Sequence, residues 1–132
     1  MEIRYGMFVH DTAKEPYAEQ IANRLKLIET RKRDMLKNLV GQRVLIIRTR
    51  AGHKPDVLGT VLIYAKQYHT AQSLDAHRNL TLIPEGSKYD CTTGGKWGYW
   101  LSDAEKFTQP IPLDEFNVTH KTRSWAEIAI NQ

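Results

Sequence analysis

The sequence contains a single cysteine, Cys91, in 132 residues. One cysteine excludes an internal disulfide and is typical of a protein kept in a reducing compartment. No apolar run approaches the roughly 20 residues that a membrane-spanning helix needs. The first ten residues include Glu2 and Arg4 and no long apolar segment, so they lack the layout of a secretory signal. We therefore expect a cytoplasmic protein without membrane contact.

Metal-binding and cofactor-binding patterns are also missing. The five histidines show none of the spacings found in zinc sites. The pair Gly94 and Gly95 before Lys96 resembles part of a phosphate-binding loop, but the rest of that pattern is absent. We therefore predict no metal and no cofactor.

The composition is that of an ordinary globular chain, with 41% hydrophobic and 26% charged residues. Its length fits one domain that spans residues 1–132. Nothing in the sequence fixes the oligomeric state.

Positive charge is concentrated in one segment. The net charge is only +4, yet ten of the 19 Lys and Arg residues lie between Arg24 and Lys54, opposed only by Glu29 and Asp34. A concentrated basic surface attracts phosphate-bearing partners, although a solvated basic face is the alternative. The candidates for phosphate contacts in this segment are Arg31, Lys32, Arg33, Arg48 and Arg50.

Hydrophobic periodicity predicts several strands and few helices. We expect a helix over Tyr17–Leu25, capped by Asp11 or Thr12 and buried through Tyr17, Ile21 and Leu25. A polar helical segment over Thr70–Leu80 would be capped by Ser73. The predicted strands are Ile3–Val9, a short extended piece at Lys26–Lys32, a central strand at Val44–Arg50, Val57–Tyr68 and Trp97–Leu101.

The connections complete this prediction. Ala51–Asp56 is expected to be a turn, Gly59 a bulge or a point of close approach, and Ser102–Phe107 a bend or a helical turn. Strands separated by loops with few helices indicate an α+β fold, a small mixed β-barrel with helices packed outside it.

A charged motif follows the first helix. Strand alternation places Glu29 and Arg31 on one face, with Lys26 at the corner between helix and strand. Such a charged group is costly to bury in a core, so it fits either a polar ligand cleft or a solvated surface strand with weak ion pairs.

Aromatic residues near the third strand offer stacking surfaces for a base. Alternation puts Trp97 and Tyr99 on one face and Trp100 on the other. We expect Trp100 in the core and Tyr99 in a cleft.

The ordered motifs resemble the ASCH domain of the PUA-like superfamily, over about residues 5–113. They are Pro16-Tyr17-Ala18, Lys26-x-x-Glu29-Thr30-Arg31, Gly41-Gln42-Arg43-Val44-Leu45-Ile46, Gly59-Thr60-Val61, Tyr99-Trp100-Leu101 and Pro110-Ile111-Pro112. Three positions depart from the family pattern. Arg24 stands where the family often has Gly, Leu27 stands where Thr often follows the motif lysine, and Glu29 stands where the amidohydrolase branch has Thr.

The resemblance implies a PUA-like barrel with a cleft that recognises RNA or a modified nucleoside. It places Lys26, Glu29 and Arg31 at the mouth of that cleft. With Tyr17, Tyr99 and the basic residues named above, they are the candidate nucleic-acid contacts. DNA is a second candidate partner. Some family members are nucleases or hydrolyse N4-acetylcytidine, so a hydrolase with Lys26 and Glu29 as the chemical pair is an open alternative. A protein-interaction module is a third.

Overall fold

The computed structural model describes residues 2–90 and 94–129, so Cys91 lies outside the described residues. Strands make up about half of the described chain, and three short α-helices accompany them. The elements are β1 (Tyr5–His10), α1 (Tyr17–Ala22), β2 (Ile28–Arg31), β3 (Gln42–Arg50), β4 (His53–His69), α2 (Ala71–Ala76), α3 (Arg78–Thr81), β5 (Lys96–Pro112), β6 (Val118–Lys121) and β7 (Trp125–Ile128). None of these helices has the length and apolar character that crossing a membrane requires.

The strands form one mixed sheet of seven in the order β2-β5-β4-β3-β1-β7-β6. Strand β1 runs parallel to β3, and the other neighbours are antiparallel. The predicted α+β class with few helices is confirmed. The outer strands β2 and β6 do not pair with each other in the described part of the chain, so the sheet is not closed into a barrel.

The central strand is β3, as the apolar run of the sequence predicts. Val44 and Ile46 pack into the larger core together with α1, whereas Leu45 and Ile47 pack into a second cluster on the opposite face of the sheet. All four side chains are buried. A strand covered on both faces explains why its sequence is continuously apolar.

The hairpin between β3 and β4 is tighter than predicted. Only Ala51 and Gly52 form the turn, because the chain pairs again from His53 onwards. The predicted turn over Ala51–Asp56 was therefore too long. Gly59 is a point of close approach, as predicted, because a Cβ there would lie 2.1 Å from the carbonyl oxygen of Glu105.

Strand β5 continues well beyond Leu101. The predicted bend over Ser102–Phe107 is wrong, because the segment pairs with β4 as far as Pro112. Asp103 adopts a φ of 52° at an irregularity in this pairing. Pairing with a long neighbouring strand thus overrides the weak local signal for a bend.

Helix α1 begins as predicted and ends early. Pro16 occupies the N-cap position, and the carboxylate of Asp11 accepts hydrogen bonds from the backbone N–H groups of Ala18 (2.5 Å) and Glu19 (3.4 Å). Asp11 therefore caps the first turn through its side chain, as predicted, although it lies five residues before the N-cap position. The helix ends at Ala22, so the predicted burial of Leu25 is wrong and its side chain is 59% exposed.

The predicted cap of α2, Ser73, is wrong. The hydroxyl of Thr70 accepts a hydrogen bond from the backbone N–H of Ser73 at 3.1 Å, so Thr70 is the cap and Ser73 lies in the first turn. A cap precedes the helix that it stabilises.

Candidate functional site

A cleft of about 1210 Å³ is lined by the edge strand β2 and also by β1 and the β6–β7 turn, which lie toward the other end of the strand order. Four parts of the chain supply most of its lining: the end of β1, the stretch from the Lys26 corner into β2, the loop that leads into Lys96, and the turn Lys121–Arg123. Tyr17 contributes from α1. The cleft is thus assembled from segments far apart in the sequence.

Lys26 lies at the floor of this cleft, and its residue is only 1% exposed. Its Nζ donates a hydrogen bond to the carbonyl oxygen of Thr81, lies 3.7 Å from Oε1 of Glu29, and stands 4.5 Å from the centre of the Tyr17 ring. Burial lowers the pKa of Lys26 to about 8, although the Glu29 carboxylate opposes that shift. A buried ammonium group with little water around it interacts strongly with any anion that enters the cleft.

The chain reaches this buried position through a sharp corner. Arg24 adopts a φ of 62°, the left-handed conformation that favours glycine. Its Nε donates to the carbonyl oxygen of Ala104 at 2.8 Å, which holds the corner. The backbone N–H of Lys26 then bonds to the carbonyl oxygen of Gln20 (3.1 Å), so the Lys26 backbone is fixed.

Glu29 and Arg31 share a face of β2, as alternation predicts. Oε2 of Glu29 accepts hydrogen bonds from Nε (3.1 Å) and Nη2 (2.9 Å) of Arg31. Arg31 Nη2 also donates to the carbonyl oxygen of Phe8 at 2.6 Å. Because Lys26 and Glu29 are buried and line the cleft with Arg31, the alternative of a solvated surface strand is wrong.

Tyr17 forms a neutral wall beside Lys26. Its hydroxyl donates to Oε1 of Glu15 at 2.8 Å, and its ring packs edge-to-face on Tyr89 with centroids 5.9 Å apart. Burial and the hydrogen bond to Glu15 raise the pKa of Tyr17. The Tyr17 hydroxyl therefore stays protonated at physiological pH.

The lining is strongly cationic. It contains seven Lys and Arg side chains against the two carboxylates of Glu29 and Asp90. The seven are Lys26, Arg31, Lys32, Lys88, Lys96, Lys121 and Arg123. Sequence reasoning missed the last four, since no local pattern marks them, and only Gly94 and Gly95 before Lys96 gave a weak signal.

Three predicted phosphate contacts lie outside the cleft. Arg48 makes two hydrogen bonds to Asp56, at 2.9 and 2.6 Å, and Arg50 lies 3.7 Å from the same carboxylate. Arg33 is exposed next to Lys32 but does not line the cleft. Basic residues that are close in the sequence therefore do not all line the same cleft.

The assignment of Tyr99 to the cleft is also wrong. Tyr99 is 0% exposed, and its hydroxyl donates to Oδ1 of Asp34 (2.8 Å) and accepts from the N–H of Leu36 (3.2 Å). Trp100, expected in the core, is half-buried between His69 and His77. Alternation correctly separated the two faces, but the face that packs on the larger core is the one with Tyr99.

Metal ligands are not grouped in the described residues. Within 2–90 and 94–129, no three His, Cys, Asp or Glu side chains come together in a way that would hold a metal ion.

Comparisons with known proteins identify the fold. No protein-family model matches the sequence, and no curated protein matches it. Three solved structures of the ASCH protein from Zymomonas mobilis match the whole fold, each at 18% identity. The parent structure has a TM-score of 0.71, with 94% of this chain and 87% of that chain covered.

Two single-residue variants of the same Zymomonas mobilis protein agree with it. Both have a TM-score of 0.70; one alignment covers 98% of this chain and 92% of the variant, and the other covers 94% and 90%. The chain therefore shares the α+β fold of the Zymomonas mobilis ASCH protein, as the motifs predict, although its sheet is not closed into the expected barrel.

Proposed function

We propose that the cleft binds a nucleotide unit of RNA. The observation that carries this proposal is the buried Lys26 ammonium at the floor of a cleft lined by six further Lys and Arg side chains. Cations in such excess repel each other, so holding them together around one cleft has an electrostatic cost, which a polyanionic ligand relieves. The volume of the cleft exceeds what a single nucleotide requires.

The positions of the charges suggest how the ligand is held. Lys32 and the turn with Lys121 and Arg123 lie at the rim, where they would contact phosphates. Lys26, Glu29 and Arg31 lie deeper and offer donors and an acceptor with fixed orientation. Such groups suit the polar edge of a base or the sugar, which single-stranded RNA exposes.

Salt dependence tests this proposal. The logarithm of the affinity for single-stranded RNA should fall linearly with the logarithm of salt concentration, by roughly 0.7 for each phosphate neutralised. A slope near zero, or no binding of RNA at low salt, would reject nucleic-acid binding. It would favour a protein-interaction module instead. Single-stranded DNA of the same sequence, compared in parallel, reports whether the 2′-hydroxyl contributes.

A hydrolase acting in the same cleft is the second candidate. It is favoured by the lowered pKa of Lys26, about 8, beside the carboxylate of Glu29. A lysine of that pKa is partly neutral at physiological pH and can accept a proton, and otherwise its charge stabilises a developing oxyanion. The candidate substrates are an RNA phosphodiester and the acyl amide of an N4-acetylcytidine-type nucleoside.

Turnover separates the two candidates. A binding module protects RNA and leaves the acylated nucleoside intact, whereas a hydrolase releases products in excess of the protein present. Incubation with each substrate, followed by chromatography, decides between them.

The cytoplasmic location predicted above is kept as part of the proposal, since RNA is a cytoplasmic ligand.

A further inference from the structure

Two aromatic side chains lie next to the cleft and outside its lining. Tyr68 of β4 and Trp97 of β5 are cross-strand partners, and their rings meet edge-to-face with centroids 5.5 Å apart. Tyr68 is 52% exposed. Aromatic rings that are exposed on a sheet and held by a neighbour are the surfaces on which single-stranded nucleic acids stack.

The strand register connects this pair to the cleft. Trp97 is also the partner of Arg31 in β2, so that Arg31, Trp97 and Tyr68 form one row across three neighbouring strands. Residues directly opposite in antiparallel strands point to the same side of the sheet. Because Arg31 lines the cleft, the row runs from the cleft to the exposed ring.

A second contact connects Tyr68 to the wall of the cleft. A Cβ on Gly95 would lie 2.4 Å from the Tyr68 ring, so this ring packs directly against the α-carbon of Gly95. Gly95 itself lines the cleft, as does Lys96 beside it. A strand of nucleic acid that leaves the cleft over Gly95 therefore passes from cationic lining onto the Tyr68 ring.

We propose that Tyr68, supported by Trp97, stacks the base next to the nucleotide held in the cleft. The ligand is then a single-stranded nucleic acid of two or more nucleotides, since a free nucleoside does not reach the ring and a duplex does not present a free base face. This inference rests on the proposed function, because it uses a nucleotide in the cleft to place the second base.

Affinity for two sizes of ligand tests the inference. The probes are adenosine monophosphate and single-stranded pentaadenylate, measured by calorimetry and by anisotropy of a labelled oligonucleotide. Tyr68→Ala should lower the affinity for pentaadenylate about fivefold or more, as expected for one lost stacking contact. It should leave the monophosphate affinity and the salt slope unchanged, because no charge is removed. Tyr68→Phe should retain the parent affinity.

The chain offers a matched control. Tyr64 lies on the same strand and is 51% exposed, but it has no strand register with Arg31. Tyr64→Ala should change pentaadenylate affinity less than twofold. A ligand-side measurement needs no variant: with the parent protein, pentaadenylate in which one base at a time is removed should lose affinity at the stacked position.

Two results would overturn the stacking site while the cleft remains a nucleotide site. One is that Tyr68→Ala binds pentaadenylate with the affinity of the parent, or loses affinity equally for both probes. The other is that removal of any single base leaves the affinity of pentaadenylate unchanged. If neither probe binds the parent protein, the proposed function fails and the inference fails with it.

Discussion

Lys26 Nζ lies 3.7 Å from one carboxylate oxygen of Glu29, while the other oxygen of that carboxylate accepts two hydrogen bonds from Arg31. Two cations thus share one anion in a buried position. A buried group with excess positive charge is costly for folding. Such an arrangement is expected where an anionic ligand neutralises the excess charge.

Removing the shared anion should separate stability from binding. Glu29→Gln leaves Lys26 and Arg31 without a counter-charge, so we expect a loss of about 3–5 kcal/mol in the free energy of unfolding. RNA affinity should stay equal or rise, while turnover, if the cleft is catalytic, should disappear. Glu19→Gln is the control, since Glu19 is exposed and lies 3.9 Å from Lys106. Unchanged stability of Glu29→Gln in denaturant unfolding would contradict the buried ion pair.

Two adjacent cations test the boundary of the cleft. Lys32 lines it and Arg33 does not, although both are exposed. Lys32→Glu should weaken single-stranded RNA binding about tenfold and reduce the salt slope, because it reverses a charge at the rim. Arg33→Glu, measured by the same anisotropy titration, should have a clearly smaller effect. Equal losses would show that the basic segment acts through general charge and not through the cleft.

The pH dependence of binding follows from Lys26. With a pKa of about 8, Lys26 is mostly charged at pH 7 and mostly neutral at pH 9. Affinity for RNA should therefore fall by up to about tenfold over this interval, whereas a lysine with an ordinary pKa would leave it flat. Stability should change in the opposite direction. Because the unfolded state keeps its proton up to a higher pH, the free energy of unfolding rises between about pH 8 and pH 10.5.

A glycine pair tests the fold independently of the site. Gly59→Ala should destabilise strongly, because its Cβ would lie 2.1 Å from the carbonyl oxygen of Glu105 and backbone atoms cannot move aside cheaply. Gly94→Ala has open space around the added methyl group and should melt like the parent. Similar melting temperatures of the two variants would show that the β4–β5 pairing is placed incorrectly.

Much of the architecture was predictable from local sequence. The apolar run of β3 marked the central strand, and the two-residue period placed Glu29 and Arg31 on one face. In both cases the pattern of side chains along one strand carries the information.

The rest depends on tertiary pairing. Nothing near Lys121 or Arg123 indicates that the β6–β7 turn forms a wall of the cleft. The predicted positions of Tyr99 and Trp100 were reversed for a similar reason. Strand alternation separates two faces but does not say which face packs on the core.

The central claim is that Lys26 holds the ligand and does not hold the fold together. Lys26→Met keeps the shape of the side chain and removes a buried charge, while Arg31 continues to neutralise Glu29. The decisive measurement is the affinity of this variant for single-stranded RNA, with its melting temperature recorded on the same preparation. We expect affinity to fall at least about tenfold, the equivalent of one lost charged contact, with a melting temperature equal to or above that of the parent. Parent-like affinity together with a much lower melting temperature would contradict the account, because the Lys26 charge would then stabilise the fold and not hold the ligand.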